Sequence, residues 1–289
     1  MRSVVESAIK SQVHAVLVAG DVLDQPELQG DVKSRCERFL LNEVVGPLRA
    51  GGIRLVLTLG SHDWVRGNPK RDSSLRVLRA LAGDNRGHVE LLVPPGVSGR
   101  KSLEVGNLRI ATDPPGNSWR GEWIEFLHDQ AESRGGSPVY RCYGDKHILW
   151  IDSKRRRYHP GSPLARTTAA DGGGAGPRHA LLVTVAPPQP PDVRPLRLPV
   201  METAVLKWSG DGWSVMYERD YERHRWRRNA LRGEGEQVAQ LLASKFPSLG
   251  WLTFLAKDYP KALPAPESLG DTLRGRSPHL LSVWMGNAT

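Results

Sequence analysis

The stretch Val16-Leu-Val-Ala-Gly-Asp21-Val-Leu-Asp24 decides the fold class when it is read beside Leu55-Val-Leu-Thr-Leu-Gly60-Ser61-His62-Asp63. Each is a run of aliphatic residues that stops at a glycine and then delivers acidic or imidazole side chains. Buried parallel strands have this continuous apolar character, and open α/β sheets place their chemistry just past the strands' carboxyl ends. Two neighbouring strands of this kind present Asp21, Asp24, His62 and Asp63 to one crevice. The plainer alternative is that Gly-Asp and Gly-Ser are turn residues closing two core strands.

The surrounding pattern is that of helices alternating with strands. Val4, Val5, Ala8 and Ile9 recur at helical spacing before the first strand, Val13 to Ala19. Asp31 to Ala50 carries Phe39, Leu40, Val44 and Leu48 on one face and stops at Gly51-Gly52, where a glycine can adopt the left-handed conformation that ends a helix. Ile53 to Leu59 is the second strand, and Ser73 to Ala82 a third helix. Short strands follow at 89–93, 102–105 and 108–112. Trp119 to Ser133 reads as a helix with Trp123, Phe126 and Leu127 on one side, Val139 to Tyr143 as a strand, and 148–151 with 157–159 as arms flanking a basic turn.

Ala180 to Val185 is a further strand, and Pro187 to Pro199 an extended linker or edge segment. Thr203 to Trp208 and Trp213 to Glu218 are joined by Ser-Gly-Asp-Gly, a hairpin signal. Glu234 to Phe246 is an amphipathic helix, and the last forty residues offer little order. The expected organisation is a domain over 1–186, a proline-rich linker over 187–199 and a small α+β appendage over 200–289.

A chain of 289 residues with a net charge of +9 and a pI near 9.8 favours an anionic partner such as nucleic acid. Cys36 and Cys142 are far apart and lack metal-ligand spacing, which fits a reducing cytoplasm. No apolar run has the length of a membrane span, so no membrane partner is expected.

Two divalent cations held together can bind a phosphate ester and stabilise its leaving oxygen, and such sites draw carboxylates and imidazoles from several strand ends. Gly20-Asp21-x-x-Asp24, Gly60-Ser61-His62-Asp63, and Gly144-Asp145-Lys146-His147 followed by Tyr158-His-Pro-Gly-Ser-Pro163 stand in this order. The set resembles the successive motifs of the calcineurin-like metallophosphoesterases, and its last pair is similar to the DNA-repair exonucleases of the SbcD type. The likeness covers about residues 1–186. It implies an α/β fold of layered β-sheets flanked by helices and a phosphodiester hydrolase that uses one or two divalent ions, Mn²⁺ being the expected metal.

By position, the resemblance implies that Asp21 bridges the metals and that Ser61, Asp145 and His147 are ligands. His62 takes the place of the imidazole that acts on the scissile phosphate. Asp24 and Asp63 orient the loop and the imidazole from behind. The family opens with a strand carrying Asp-x-His, which on this reading would lie before Met1 and leaves the fold incomplete at its amino terminus. It also has a His-bearing strand between the third and last motifs, and here Leu108 to Thr112 runs into Asp113-Pro-Pro without one. His128, placed on the helix surface, is read as an ordinary residue, as is His159.

Lys154, Arg155, Arg156 and Arg157 at a hairpin tip are candidates for gripping phosphates, the alternative being a solvated turn. The segment 217–232 interleaves Tyr217, Tyr221 and Trp226 with six arginines, among them Arg225, Arg227 and Arg228, and either contacts nucleic acid or forms a salt-bridged exposed helix. The partners expected are DNA and, by resemblance, an SbcC-like ATPase subunit. The competing functional reading is a catalytically silent nucleic-acid- or protein-binding module on the same fold.

Overall fold

The computed structural model describes residues 1–23, 28, 30–63, 73–114, 121–129, 136–145, 149–162, 178–198, 202–208, 213–220, 225–231, 240, 244, 249–255 and 282–286. The fold is mixed α/β. The chain forms two compact units: Met1–Asp145 with Ile151–His159 and Leu181–Arg194, and Lys146–Trp150 with Pro160–Ala180 and Pro195–Thr289.

In the first unit, α1 (Arg2–Lys10) leads into β1 (Ala15–Ala19), and a helical path of α2 (Gly30–Phe39), a π-helical turn (Leu40–Val45) and α3 (Gly46–Ala50) leads to β2 (Arg54–Thr58). The widened turn has a covalent cause. Pro47 has no N–H and its ring crowds the carbonyl one turn back, so the preceding turn opens and Gly46 N–H reaches Leu41 O instead. After α4 (Ser73–Asp84) comes β3 (Val89–Leu92), and β1, β2 and β3 form a parallel sheet in that order.

Alternation along these strands sorts their side chains to two faces. Val16, Leu55, Leu57, Val89 and Leu91 pack with Val5, Ala8, Val44, Leu48, Leu75 and Leu78 of the helices. Leu17, Val56 and Leu92 belong to a second core shared with the next sheet. That sheet contains β4 (Ser102–Val105), β5 (Leu108–Ala111), β6 (Trp123–Leu127), β7 (Tyr140–Tyr143), β8 (Trp150–Asp152) and β9 (Arg157–His159), in the order β4-β5-β6-β7-β9-β8. Strands β5, β6, β7 and β9 are parallel, and Ile110, Ile124, Phe126, Tyr140, Cys142 and Tyr158 supply its side of the shared core. The unit is thus layered as helices, sheet and sheet.

The main departure from the sequence reading is at Trp119 to Ser133. Its described part is not a helix: Trp123-Ile-Glu-Phe-Leu127 is β6, pinned between β5 and β7 with all five residues buried. A strand buried on both faces loses the period-2 signal, and the isolated Glu125 made the segment look amphipathic. Its charge is answered inside: Arg141 Nε donates to Glu125 Oε2 at 3.1 Å, and the Tyr143 hydroxyl donates to the same oxygen.

Beyond these sheets, β10 (His179–Thr184) pairs with β11 (Asp192–Arg197), so part of the proline-rich segment is an edge strand. The second unit contains β12 (Glu202–Trp208), β13 (Trp213–Asp220), β14 (Arg225–Leu231), β15 (Leu249–Leu255) and β16 (Ser282–Gly286) in a five-stranded sheet ordered β14-β13-β12-β15-β16. The expected hairpin is β12 with β13. The helix alternative for 217–232 is overturned by β14, which pairs antiparallel with β13. The carboxyl-terminal forty residues also hold more order than expected, since β15 and β16 run parallel to each other and β15 parallel to β12. The helix expected over 234–246 lies almost wholly outside the described residues.

Candidate functional site

Strands β1, β2, β6, β7 and β9 of the first unit each end at or just before a residue able to do chemistry or a glycine that makes room for one. Gly20 follows β1 at φ +78°, a conformation that strains any residue with a Cβ. Asp21 follows it in the left-handed region at φ +49°. Aspartate is among the side chains that tolerate this region, and the turn aims its carboxylate across the strand ends.

Three contacts fix Asp21 there. Its Oδ1 accepts the His62 backbone N–H at 2.9 Å, which ties the end of β1 to the loop after β2. Gly60 packs so closely on it that a methyl group would collide with Asp21 Oδ1. On the far side, His128 Nε2 lies 3.3 Å from Asp21 Oδ2.

Asp63 is the clamp beneath this arrangement. It is fully buried, and its carboxylate accepts N–H groups from Leu23 at 2.9 Å, Gly60 at 3.1 Å and Val22 at 3.2 Å. One side chain therefore organises both loops. Burial pushes its carboxyl up to about 6, against the opposing effect of those three donors, and the neighbouring Asp21 charge adds to the rise.

His128 is the functional candidate that the sequence reading set aside. It stands at the carboxyl end of β6, only 6% exposed, and its Nδ1 lies 2.8 Å from the carbonyl oxygen of Ala19. A carbonyl can only accept, so Nδ1 carries a proton and Nε2 is the ring nitrogen turned towards Asp21. Metal-ligating histidines are commonly held in this way, with the other ring nitrogen bound to a backbone oxygen. Nε2 is buried and makes no hydrogen bond in spite of its nearness to Asp21. Two atoms bound about 2.1 Å from one shared ion in adjacent positions lie roughly 3.0 to 3.4 Å apart. The Asp21–His128 separation fits a pair of co-ligands.

A parallel arrangement stands one strand further on. His159 ends β9, is buried, and its Nδ1 donates to the carbonyl of Gly144 at 2.6 Å; its ring is tilted against Tyr143 with centroids 5.3 Å apart. Gly144 is wedged so tightly that a methyl group would strike the Ala19 carbonyl and the His128 ring. The signal that finds both histidines is the same one that found Asp21: a polar residue closing an apolar strand. It was hidden at His128 by the helix assignment and at His159 by the shortness of β9.

The remaining expected residues divide. Ser61 is exposed beside the half-buried His62, and Asp145 is exposed with φ +56°. Among the described residues no three His, Cys, Asp or Glu side chains group closely enough to hold a metal ion, so Asp145 does not join the Asp21–His128 pair. Asp24 and His147 lie outside the described residues.

Of the basic candidates, Lys154, Arg155 and Arg156 form the exposed tip between β8 and β9, while Arg157 opens β9 and is half-buried. The tip is partly committed: the Arg155 backbone N–H donates to Asp152 Oδ1 and Arg156 Nη1 to the Pro138 carbonyl. In the second unit, register sets Arg225 opposite Asp220 and Arg227 opposite Glu218, leaving Arg228 opposite Met216. No helix among the described residues is long and apolar enough to cross a membrane. No protein-family model matches the chain, and no curated protein matches it.

Proposed function

We propose that the first unit is a metal-dependent phosphoesterase of the calcineurin-like type that cleaves phosphodiester bonds of nucleic acid. One observation carries the reading: a buried imidazole, its Nδ1 held by a backbone carbonyl, turns Nε2 to a carboxylate oxygen at 3.3 Å across the ends of strands from two sheets. The layered sheets, the order of motifs along the chain and the basic composition support it.

Asp21 and His128 are the residues that would hold a divalent ion, with Mn²⁺ the expected choice for a mixed carboxylate and imidazole set. Such an ion polarises a phosphoryl oxygen and acidifies water. Asp21 contributes a full negative charge and two oxygens, one of them also fixed by the His62 N–H. That bond ties the His62 backbone to the Asp21 turn, and on this reading the His62 imidazole would deliver a proton to the leaving oxygen of a bound phosphodiester. Asp63 keeps both loops in register. Ser61, Asp145, His147 and Asp24 belong to the same family pattern and are proposed as accessory groups. DNA is the proposed substrate and an SbcC-like ATPase the proposed partner, in the cytoplasm.

The test is Mn²⁺-dependent hydrolysis of bis-p-nitrophenyl phosphate and of single-stranded DNA by the full chain. Wild type should turn over only with metal, and Asp21→Asn and His128→Ala should each lose at least a hundredfold while Asp24→Asn loses less. Mn²⁺ titration should show the same two variants binding ten- to a hundredfold more weakly. Metal-independent or absent turnover by wild type would overturn the assignment, and DNA binding without turnover would favour the silent binding module.

A further inference from the structure

The five-stranded sheet of the second unit has two faces of unlike chemistry, and strand register decides which residues share each. Residues at paired positions lie on one face, and successive residues of a strand alternate between faces. Leu206, paired with Val215 and Phe254, shares a face with Trp208, Trp213 and Leu252. That face is apolar across its middle, and its Trp208 is buried, only 9% exposed. Its charges stand at the β14 border, where Arg225 and Arg227 lie opposite Asp220 and Glu218.

The other face holds a different set. Trp226 is paired with Arg219, and beyond the irregularity between Met216 and Glu218, Arg228 is paired with Met216. From Met216 the row continues through Val205 and Thr253 to Trp284. Two residues from Val205 along β12 stand Lys207 on one side and Thr203 on the other, and Thr203 is paired with Trp251. This face thus carries three cations, Lys207, Arg219 and Arg228, and three tryptophans, Trp226, Trp251 and Trp284, with no acid at any paired position. Both acids of β13 belong to the first face.

A sheet that buries an apolar face leaves the other to water or to a ligand. Like charges gathered on one surface favour an anionic partner, and tryptophan offers a flat ring on which any base can stack. With residues rising about 3.3 Å along a strand and strands about 4.8 Å apart, Trp251 and Trp284 are held roughly 8 Å apart and Trp226 about 14 Å across the sheet from Trp251. Rings spread in this way suit a strand whose bases are splayed out, and not a duplex, whose bases face one another inside.

We infer that this face of the second unit is a platform for single-stranded nucleic acid, its bases on Trp226, Trp251 and Trp284 and its phosphates on Lys207, Arg219 and Arg228. Of the three β14 arginines singled out in the sequence, the register keeps Arg228 on this platform and sets Arg225 and Arg227 on the opposite face. The platform uses neither Asp21 nor a metal ion, so it does not require the phosphoesterase reading.

The test is fluorescence anisotropy of the full chain in EDTA with a labelled oligothymidylate of about fifteen nucleotides, an RNA and a duplex of the same length, and polyphosphate as competitor. The single strands should bind at least about tenfold more tightly than the duplex or polyphosphate, the tighter of the two naming the sugar. Trp251→Ala and Trp284→Ala should each weaken binding about tenfold, while Trp251→Phe and Trp284→Phe keep it within about threefold. Lys207→Gln and Arg228→Gln should each reduce the slope of log affinity against log salt by about 0.7, and Arg225→Gln and Arg227→Gln by less than about half of that. Asp21→Asn should leave binding unchanged, which separates this surface from the strand-end site. Circular dichroism reports the folding of each variant, and the glutamine variants decide the matter if a tryptophan variant unfolds. Polyphosphate or duplex binding as tightly as the single strands, folded Trp→Ala variants of unchanged affinity, or a larger effect of Arg225 and Arg227 than of Lys207 and Arg228 would overturn the inference.

Discussion

Asp63 shows how one residue can set both geometry and pH response. Three backbone N–H groups converge on its carboxylate from the two loops that carry Asp21 and His62, yet burial outweighs them and lifts its pKa from 3.8 to about 6. An acid whose folded pKa is raised holds its proton more tightly folded than unfolded. Its contribution is therefore fully present below pH 3.8 and lost as pH rises through 6. Relative to Asp63→Asn, the metal-free protein should lose about 3 kcal/mol between pH 3 and pH 7. Urea midpoints at each pH give the comparison, and a flat difference would refute it. The clamp was legible at 60–63 as a motif residue, but its three partners were not, because hydrogen bonds between residues forty positions apart are made by the fold.

At the scale of elements, β6 is where local pattern and tertiary structure disagree. Trp123, Ile124, Phe126 and Leu127 would suit either a helix or a strand; parallel pairing with β5 and β7 selects the strand. Glu125 is the internal cost of that choice, buried and answered by Arg141 and Tyr143. Glu125→Ala should destabilise the chain by about 1 to 3 kcal/mol, since it removes the acceptor shared by Arg141 Nε and the Tyr143 hydroxyl while Arg141 keeps the Arg155 and Gly136 carbonyls, whereas Glu125→Gln keeps an accepting oxygen and should cost less than half as much. Chemical denaturation of both variants decides this, and equal losses would show that the accepting oxygen at position 125 contributes nothing to stability. The same element carries His128 to the end of β6 beside Asp21, so the helix reading of one strand concealed a candidate ligand. β14 makes the complementary point: its arginines invited a nucleic-acid reading, and only the register with β13 showed acidic positions facing two of them.

For the whole molecule, the layered unit brings strand ends from two sheets together, and a ligand that bridges those ends should stabilise the fold. Mn²⁺ at a hundred times its dissociation constant should add about 2.7 kcal/mol to unfolding. A rise in melting temperature with Mn²⁺ that vanishes in His128→Ala is the expected outcome, and an equal rise in that variant would place the ion elsewhere.

The sequence by itself determined β1, β2, α1, α4 and the β12–β13 hairpin, because apolar period, helix stops and turn residues are local properties of the chain. It also determined that Asp21 closes a strand, since Gly-Asp after an apolar run says so without a neighbour. Only the tertiary structure decided that His128 faces Asp21, that His159 holds the Gly144 carbonyl and that Asp63 joins two loops. Those pairings depend on which strands lie side by side and in which register. No local pattern fixes that, because it is set by burying both faces of two stacked sheets at once.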